Sequence, residues 1–131
     1  MGPTDQLRKL AEDLVAGCRE GRERENLDRL YAADAVSVEA YDMAGQGREV
    51  VGTNAIKAKH DWWESSVDVL ESDSDEPPVR GPYFFGEDRF SVIFHLKVQD
   101  KASGDIQEVT EIGTYHVENG KIVREEFSYE M

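Results

Sequence analysis

Residues 89–98, RFSVIFHLKV, alternate apolar and polar with Ile93 as the one exception. Successive side chains of a strand point to opposite faces, so Phe90, Val92, Phe94, Leu96 and Val98 share one side. Such a strand needs neighbours to pair with and a second layer to cover its apolar side. Residues 106–117 supply one further strand and 121–129 another, joined by a tight turn at Glu118-Asn119-Gly120. The cover comes from the first half of the chain. Residues 4–20 place Leu7, Leu10, Leu14 and Cys18 at spacings of three, four and four, a single helical stripe that ends at Gly21. Residues 22–33 read as a short second helix with Leu27, Leu30 and Tyr31 inward, followed by a strand over 35–40, AVSVEA. A Gly-rich loop, 42–52, leaves room for a short strand at 48–51. A third helix then starts at Gly52-Thr53 with Thr53 as its expected N-cap, carrying Ile56, His60, Trp63 and Val67. From Val67 the period changes to two, so this helix ends near Ser66. Residues 73–82, DSDEPPVRGP, read as a turn-rich connection. The expected order is α-α-β-α-β-β-β-β: an α+β domain, with residues 1–131 forming one unit.

Charge removes several functions. With 15 Lys+Arg against 28 Asp+Glu the net charge is −13, and no basic patch exists to release counterions from phosphates. Nucleic acid is therefore not an expected partner, and neither is an anionic membrane surface. Cys18, the single cysteine, has no internal disulfide partner and suits a reducing cytosol. No apolar run reaches the roughly 18 residues of a membrane span, and MGPTDQLRKL lacks an apolar signal core. The expected location is cytoplasmic.

The register of the last hairpin decides which acids face inward, because a one-residue slip turns every side chain over. A two-residue Asn119-Gly120 turn pairs Glu118 with Lys121; a three-residue turn pairs Val117 with Lys121. The three-residue turn gives one coherent face, with Tyr115 opposite Val123, Gly113 opposite Glu125, Glu111 opposite Phe127 and Val109 opposite Tyr129. The other sets Tyr115 against Arg124 and mixes the faces, so the three-residue turn is the expectation. That face is apolar except for Glu111 and Glu125, which become diagonal neighbours about 7–8 Å apart. Gly113 leaves space above Glu125. Desolvation and mutual repulsion would raise the pKa of both carboxyls toward the range useful for general acid–base chemistry. The ordinary alternative is ion pairing with Arg80, Arg89 or Lys97.

Glu39 shares a face with Ser37 and points either into the same cavity or at solvent. His60 lies on the apolar stripe of helix three, as a hydrogen-bonded core residue or as a group titrating near neutrality. Trp62 and Trp63 are adjacent and cannot both face the core, so one of them lines a mouth or an interface. His60, His95 and His116 share no metal-ligand spacing, and no metal site is expected. GQGREV lacks the glycines and strand of a dinucleotide loop, and no serine lies in a nucleophile elbow.

LDRLYAADAVSVEA, the Gly52-Thr53-x-Ala55-Ile56 start of helix three and the closing YHVENGKIVREEFSY resemble the nuclear transport factor 2-like superfamily, in its SnoaL-like (polyketide-cyclase-like) branch. The resemblance runs from Leu7 to Tyr129. It implies a cone, a strongly curved sheet wrapped around three helices with a pocket at its open end, and a homodimer through the convex sheet face. It places Glu39 where ketosteroid isomerases carry an Asp general base. The chain departs from those isomerases elsewhere: their helix-one Tyr falls at Leu14 or Val15, and their protonated Asp at Gly113. The expected function is binding of a small, largely apolar molecule, with cofactor-free acid–base chemistry such as isomerisation, cyclisation or dehydration. Glu39 would be the base and Glu111, Glu125 or His60 the orienting or proton-donating groups. Trp63, Phe94, Tyr115, Phe127 and Tyr129 would contact the ligand. The alternative is a ligand-binding or dimerisation module without turnover.

Overall fold

A computed structural model describes residues 2–42, 45–72 and 74–130. Helix α1 spans Asp5–Arg19 and is capped by Thr4, whose side chain accepts from the Leu7 backbone N–H at 3.1 Å. Its buried stripe is Leu7, Leu10 and Leu14, widened by Ala11 and Val15. Helix α2, Glu23–Leu30, stops earlier than its apolar pattern suggests. Tyr31 is the first residue of strand β1, Tyr31–Val38, and is held there by pairing with Ile122. Sheet pairing thus takes the backbone of 31–34 from the helix the local pattern favours. Part of the 42–52 loop and the start of the 73–82 connection, residues 43, 44 and 73, lie outside the described residues.

Strand β2 covers Glu49–Val51 and helix α3 Thr53–Ser66. The cap of α3 is Gly52, at φ 95°, so Thr53 is its first helical residue and makes no capping hydrogen bond. Strand β3, Val67–Leu70, follows where the period changes to two. Strand β4, Val79–Phe84, is the element the sequence pattern misses. Its proline, Pro82, suits an edge strand, and an irregularity between Arg80 and Tyr83 carries Gly81-Pro82 past the ladder. Strands β5 (Arg89–Asp100), β6 (Ile106–Glu118) and β7 (Lys121–Glu130) complete the chain.

The seven strands form one sheet in the order β2-β1-β7-β6-β5-β3, with β4 also paired to β5. All pairs are antiparallel except β1 with β7. The sheet curls around the helices. Leu7, Leu14 and Leu27 from α1 and α2 and Ile56 from α3 form one core with Phe90, Val92 and Ile122, all within 2% of full burial. The strand directions bring the ends of β1, β5 and β7 to the same rim as the starts of β3 and β6. These ends form one rim of the curled sheet.

The last hairpin differs from expectation in an instructive way. Asn119 and Gly120 both have positive φ, 51° and 74°, and form a two-residue turn with Glu118 opposite Lys121 and Val117 opposite Ile122. The ladder then shifts: His116 opposes Arg124, leaving Val123 as a bulge. Beyond it Tyr115 opposes Glu125, Gly113 opposes Phe127 and Glu111 opposes Tyr129. The three-residue turn is therefore incorrect: Val117 meets a partner one residue further along than expected, and Tyr115, Gly113 and Glu111 each meet one two residues further along. An even displacement preserves the faces, so Glu111, Gly113, Tyr115, Glu125, Phe127 and Tyr129 still share the concave side. Glu111 and Glu125 are not diagonal neighbours, because the Gly113–Phe127 pair lies between them.

Candidate functional site

The concave face of β5, β6, β7 and β1 carries cross-strand rows graded by depth. The deepest runs Phe90–Tyr115–Glu125–Ser37, with exposures of 0–3%. Next comes Val92–Gly113–Phe127, and nearest the mouth Phe94–Glu111–Tyr129. Phe94, Glu111, Phe127 and Tyr129 are only half-buried, so the helices leave this end of the face open.

Glu125 is sealed into the deep row. Its Oε2 accepts from the Tyr31 hydroxyl at 2.6 Å, while Oε1 has no hydrogen-bond partner of ordinary geometry. Burial pushes its pKa up; the Tyr31 hydrogen bond, Lys59 and Ser37 act against that rise. The space expected above Glu125 is not empty. A Cβ on Gly113 would lie 3.0 Å from the Tyr115 hydroxyl and 3.1 Å from the Phe127 ring, so the two rings already fill it. They meet edge to face with centroids 6.4 Å apart.

Nearer the mouth, Glu39 follows β1 and is tied back to the β2 side, its N–H donating to the Arg48 carbonyl at 2.8 Å. Its side chain turns inward. Oε1 lies 2.8 Å from Lys59 Nζ, and Oε2 accepts from the Tyr129 hydroxyl. Lys59 also donates to Ser37 Oγ and sits 5.2 Å from the Phe127 ring centroid. Tyr129 in turn stacks on Tyr41, with centroids 6.2 Å apart.

Glu111 differs from both. It forms no hydrogen bond or ion pair with the described residues. Burial first, then the fields of Glu39 and Glu125, raise its pKa to about 8 against the counter-pull of Lys59. Arg80 and Arg89 are occupied elsewhere, near Glu76 and Asp88. The three carboxylates thus share one cation, Lys59, whose field reaches all of them.

His60 is not part of this group. Burial, Lys59 and Arg24 lower its pKa to about 4, so it stays neutral at pH 7 on the α2-facing side of α3. Trp63 is also elsewhere: it lines a separate hollow with Trp62 at the rim. Tyr115 is fully enclosed in the floor, with its ring stacked on Phe90 at 5.0 Å. Sequence reasoning passed over Lys59, Tyr31 and Ser37. Lys59 stands three residues after the fully buried Ile56, and that spacing is the signal that could have placed it on the inner face. Among the described residues no group of three His, Cys, Asp or Glu side chains is placed to hold a metal ion. No described helix is long and apolar enough to cross a membrane.

The family model of the SnoaL-like domain matches residues 7–129. A candidate SnoaL-like polyketide cyclase of Mesorhizobium loti is 32% identical, the match covering 94% of this chain and 98% of that one, with a TM-score of 0.80. An NTF2-like protein of Burkholderia xenovorans is 15% identical over 99% of this chain and 93% of its own, with a TM-score of 0.75. An NTF2-like protein of unknown function from Burkholderia pseudomallei is 15% identical over 97% and 92%, with a TM-score of 0.72. The last two likenesses concern the fold alone. A search of curated proteins finds no match to this chain.

Proposed function

The chain belongs to the SnoaL-like family of the nuclear transport factor 2-like superfamily, and from that premise we propose that its concave mouth binds a small, largely apolar molecule and carries out cofactor-free acid–base chemistry on it. The observation that carries this reading is the gathering of Glu39, Glu111 and Glu125 around Lys59 on one half-open face. Glu39 is the base: Lys59 and Tyr129 hold both of its oxygens, fixing its direction toward the mouth. Glu111, with its pKa near 8, carries a proton at neutral pH and is the donor. Glu125 is a positioning group that acts through Tyr31 and Ser37. Phe94, Phe127 and Tyr129 give the ligand apolar walls, which favour a ring by about 25 cal/mol per Å² covered. Isomerisation, cyclisation and dehydration all need such an opposed acid and base.

The convex face supports pairing with a second copy. Ile93 opposes Ile112 there, amid Ser91, Thr110 and Thr114, and Ile112 is 42% exposed. Sizing chromatography should give twice the 14.8 kDa chain mass; a monomer ends the homodimer reading.

A binding module without turnover is the second reading. The Tyr115 and Phe127 rings that close the space over Gly113 favour it, because they narrow the depth open to a substrate. A thermal-shift screen of aromatic and terpenoid ketones, lactones and acids separates the two. Turnover of a stabilising compound, lost in Glu39→Gln with binding retained, supports the enzyme. Binding that is indifferent to Glu39→Gln, Glu111→Gln and Glu125→Gln supports the module.

A further inference from the structure

Trp62 and Trp63, the chain's two tryptophans, are both exposed, by 44% and 37%. Adjacent helical residues project about 100° apart, so these rings cannot stack on each other. They stand as separate walls of a hollow of about 590 Å³, closed by Ser65, Ser66 and Val67 and by Asp100, Lys101 and Ala102 across the gap. That volume falls within the roughly 300–1,000 Å³ of small-molecule sites.

Acidic groups outnumber basic ones around the hollow, for reasons independent of the rings. It lies at the C-terminal end of the 14-residue α3, whose last turn carries no basic residue, so the helix dipole is uncompensated from within. Asp100 lines the gap, and Glu64 and Asp68 flank it. The one cation present, Lys101, reaches back to this helix end: Nζ donates to the Glu64 carbonyl at 3.1 Å and lies 3.7 Å from Asp68. Faces of tryptophan favour cations further.

Several hydrogen-bonding groups of the hollow are already used. The Ser65 and Ser66 hydroxyls both donate to the Trp62 carbonyl at 2.7 Å. The Trp63 carbonyl accepts from the Val67 N–H, and the Ser66 carbonyl accepts from the Lys101 N–H at 2.9 Å. A primary ammonium or guanidinium would have to exchange its water for Asp100 and the two serine oxygens, whereas a cation without N–H groups has no hydrogen bonds to regain. We propose that the hollow between Trp62, Trp63 and the β5–β6 turn is a binding site for small quaternary-ammonium cations. It is independent of the acid–base reading, since it uses none of the carboxylates grouped around Lys59.

The test uses tetramethylammonium chloride, with tert-butanol as an uncharged probe of similar shape and potassium chloride as the ionic-strength control. Both tryptophans line the hollow, so intrinsic fluorescence reports on it directly. Tetramethylammonium should change the emission saturably, and about tenfold more tightly than tert-butanol. Trp62→Phe and Trp63→Phe, which keep an aromatic face and guard against misfolding, should each weaken it severalfold; Lys101→Met should tighten it. Three results overturn the proposal: no saturable response beyond potassium chloride, equal response to tert-butanol, or a change of oligomeric state in the Trp62→Phe or Trp63→Phe variant, which would make the hollow a contact between copies.

Discussion

The floor and the mouth of the concave face hold the same kind of group in opposite conditions. Glu125 sits 2% exposed in the floor, engaged by the Tyr31 hydroxyl and overlaid by the rings of Tyr115 and Phe127. Glu39 and Glu111 stand on the open rows, one held by Lys59 and Tyr129, the other without a partner among the described residues. All three belong to one curved surface and feel one lysine. Depth decides what each can do. A carboxyl enclosed by hydroxyls and rings acts on the geometry around it, while one facing an opening can exchange a proton with whatever enters.

The harshest way to break this division is to disturb the layer between the two regions. Gly113→Ala should cost about 1–3 kcal/mol by thermal or urea unfolding, since its methyl group would press on Tyr115 and Phe127 at 3.0–3.1 Å. Tyr31→Phe should come next, at about 2 kcal/mol, by leaving the Glu125 carboxyl without its donor. It should leave ligand binding at the mouth nearly unchanged; a large loss of binding there would erase the distinction between floor and mouth. Lys59→Met should cost about 1 kcal/mol, because its partner Glu39 is partly open to water. Its sharper signature is in titration: without the ammonium, the Glu111 transition followed by NMR should move above about 8.

A separate effect is one of pH. Glu111 has a folded-state pKa of about 8, above the ordinary carboxyl value of 4.5. The folded chain keeps a proton that the unfolded chain releases across that window. The Glu111 contribution to stability is therefore complete below pH 4.5 and is lost as pH rises through 8. Glu111→Gln should flatten this part of the stability–pH curve, and an unchanged slope would show that Glu111 is not desolvated.

Which residues face inward was legible from alternation along β5 and β6. The rows they form were not. Parity fixes a face, but register depends on the turn, and neither Asn119-Gly120 nor the apolar pair Ile122-Val123 announces the bulge. Tyr31 was hidden by its place at the end of a helical pattern, where only pairing with Ile122 makes it a strand residue. Lys59 was hidden by its length: a long side chain crosses an apolar face and delivers its charge far from its own backbone. The resemblance implied a place for Glu39 at the isomerase base position, but its two partners lie 20 and 90 residues away in the chain.

Val123 bears on how such a domain can change. Before it, Ile122 is the inward residue of β7; after it, Glu125, Phe127 and Tyr129 are. The bulge works as a frame marker for the strand, and a single-residue deletion there would exchange the strand's two alphabets. Arg124, Glu126 and Ser128 would line the interior, while the floor carboxylate and two aromatic walls would turn to solvent. Point substitution can change the concave face one group at a time. Length change at Val123 has no small version, so it would disturb the face more than most substitutions in this stretch.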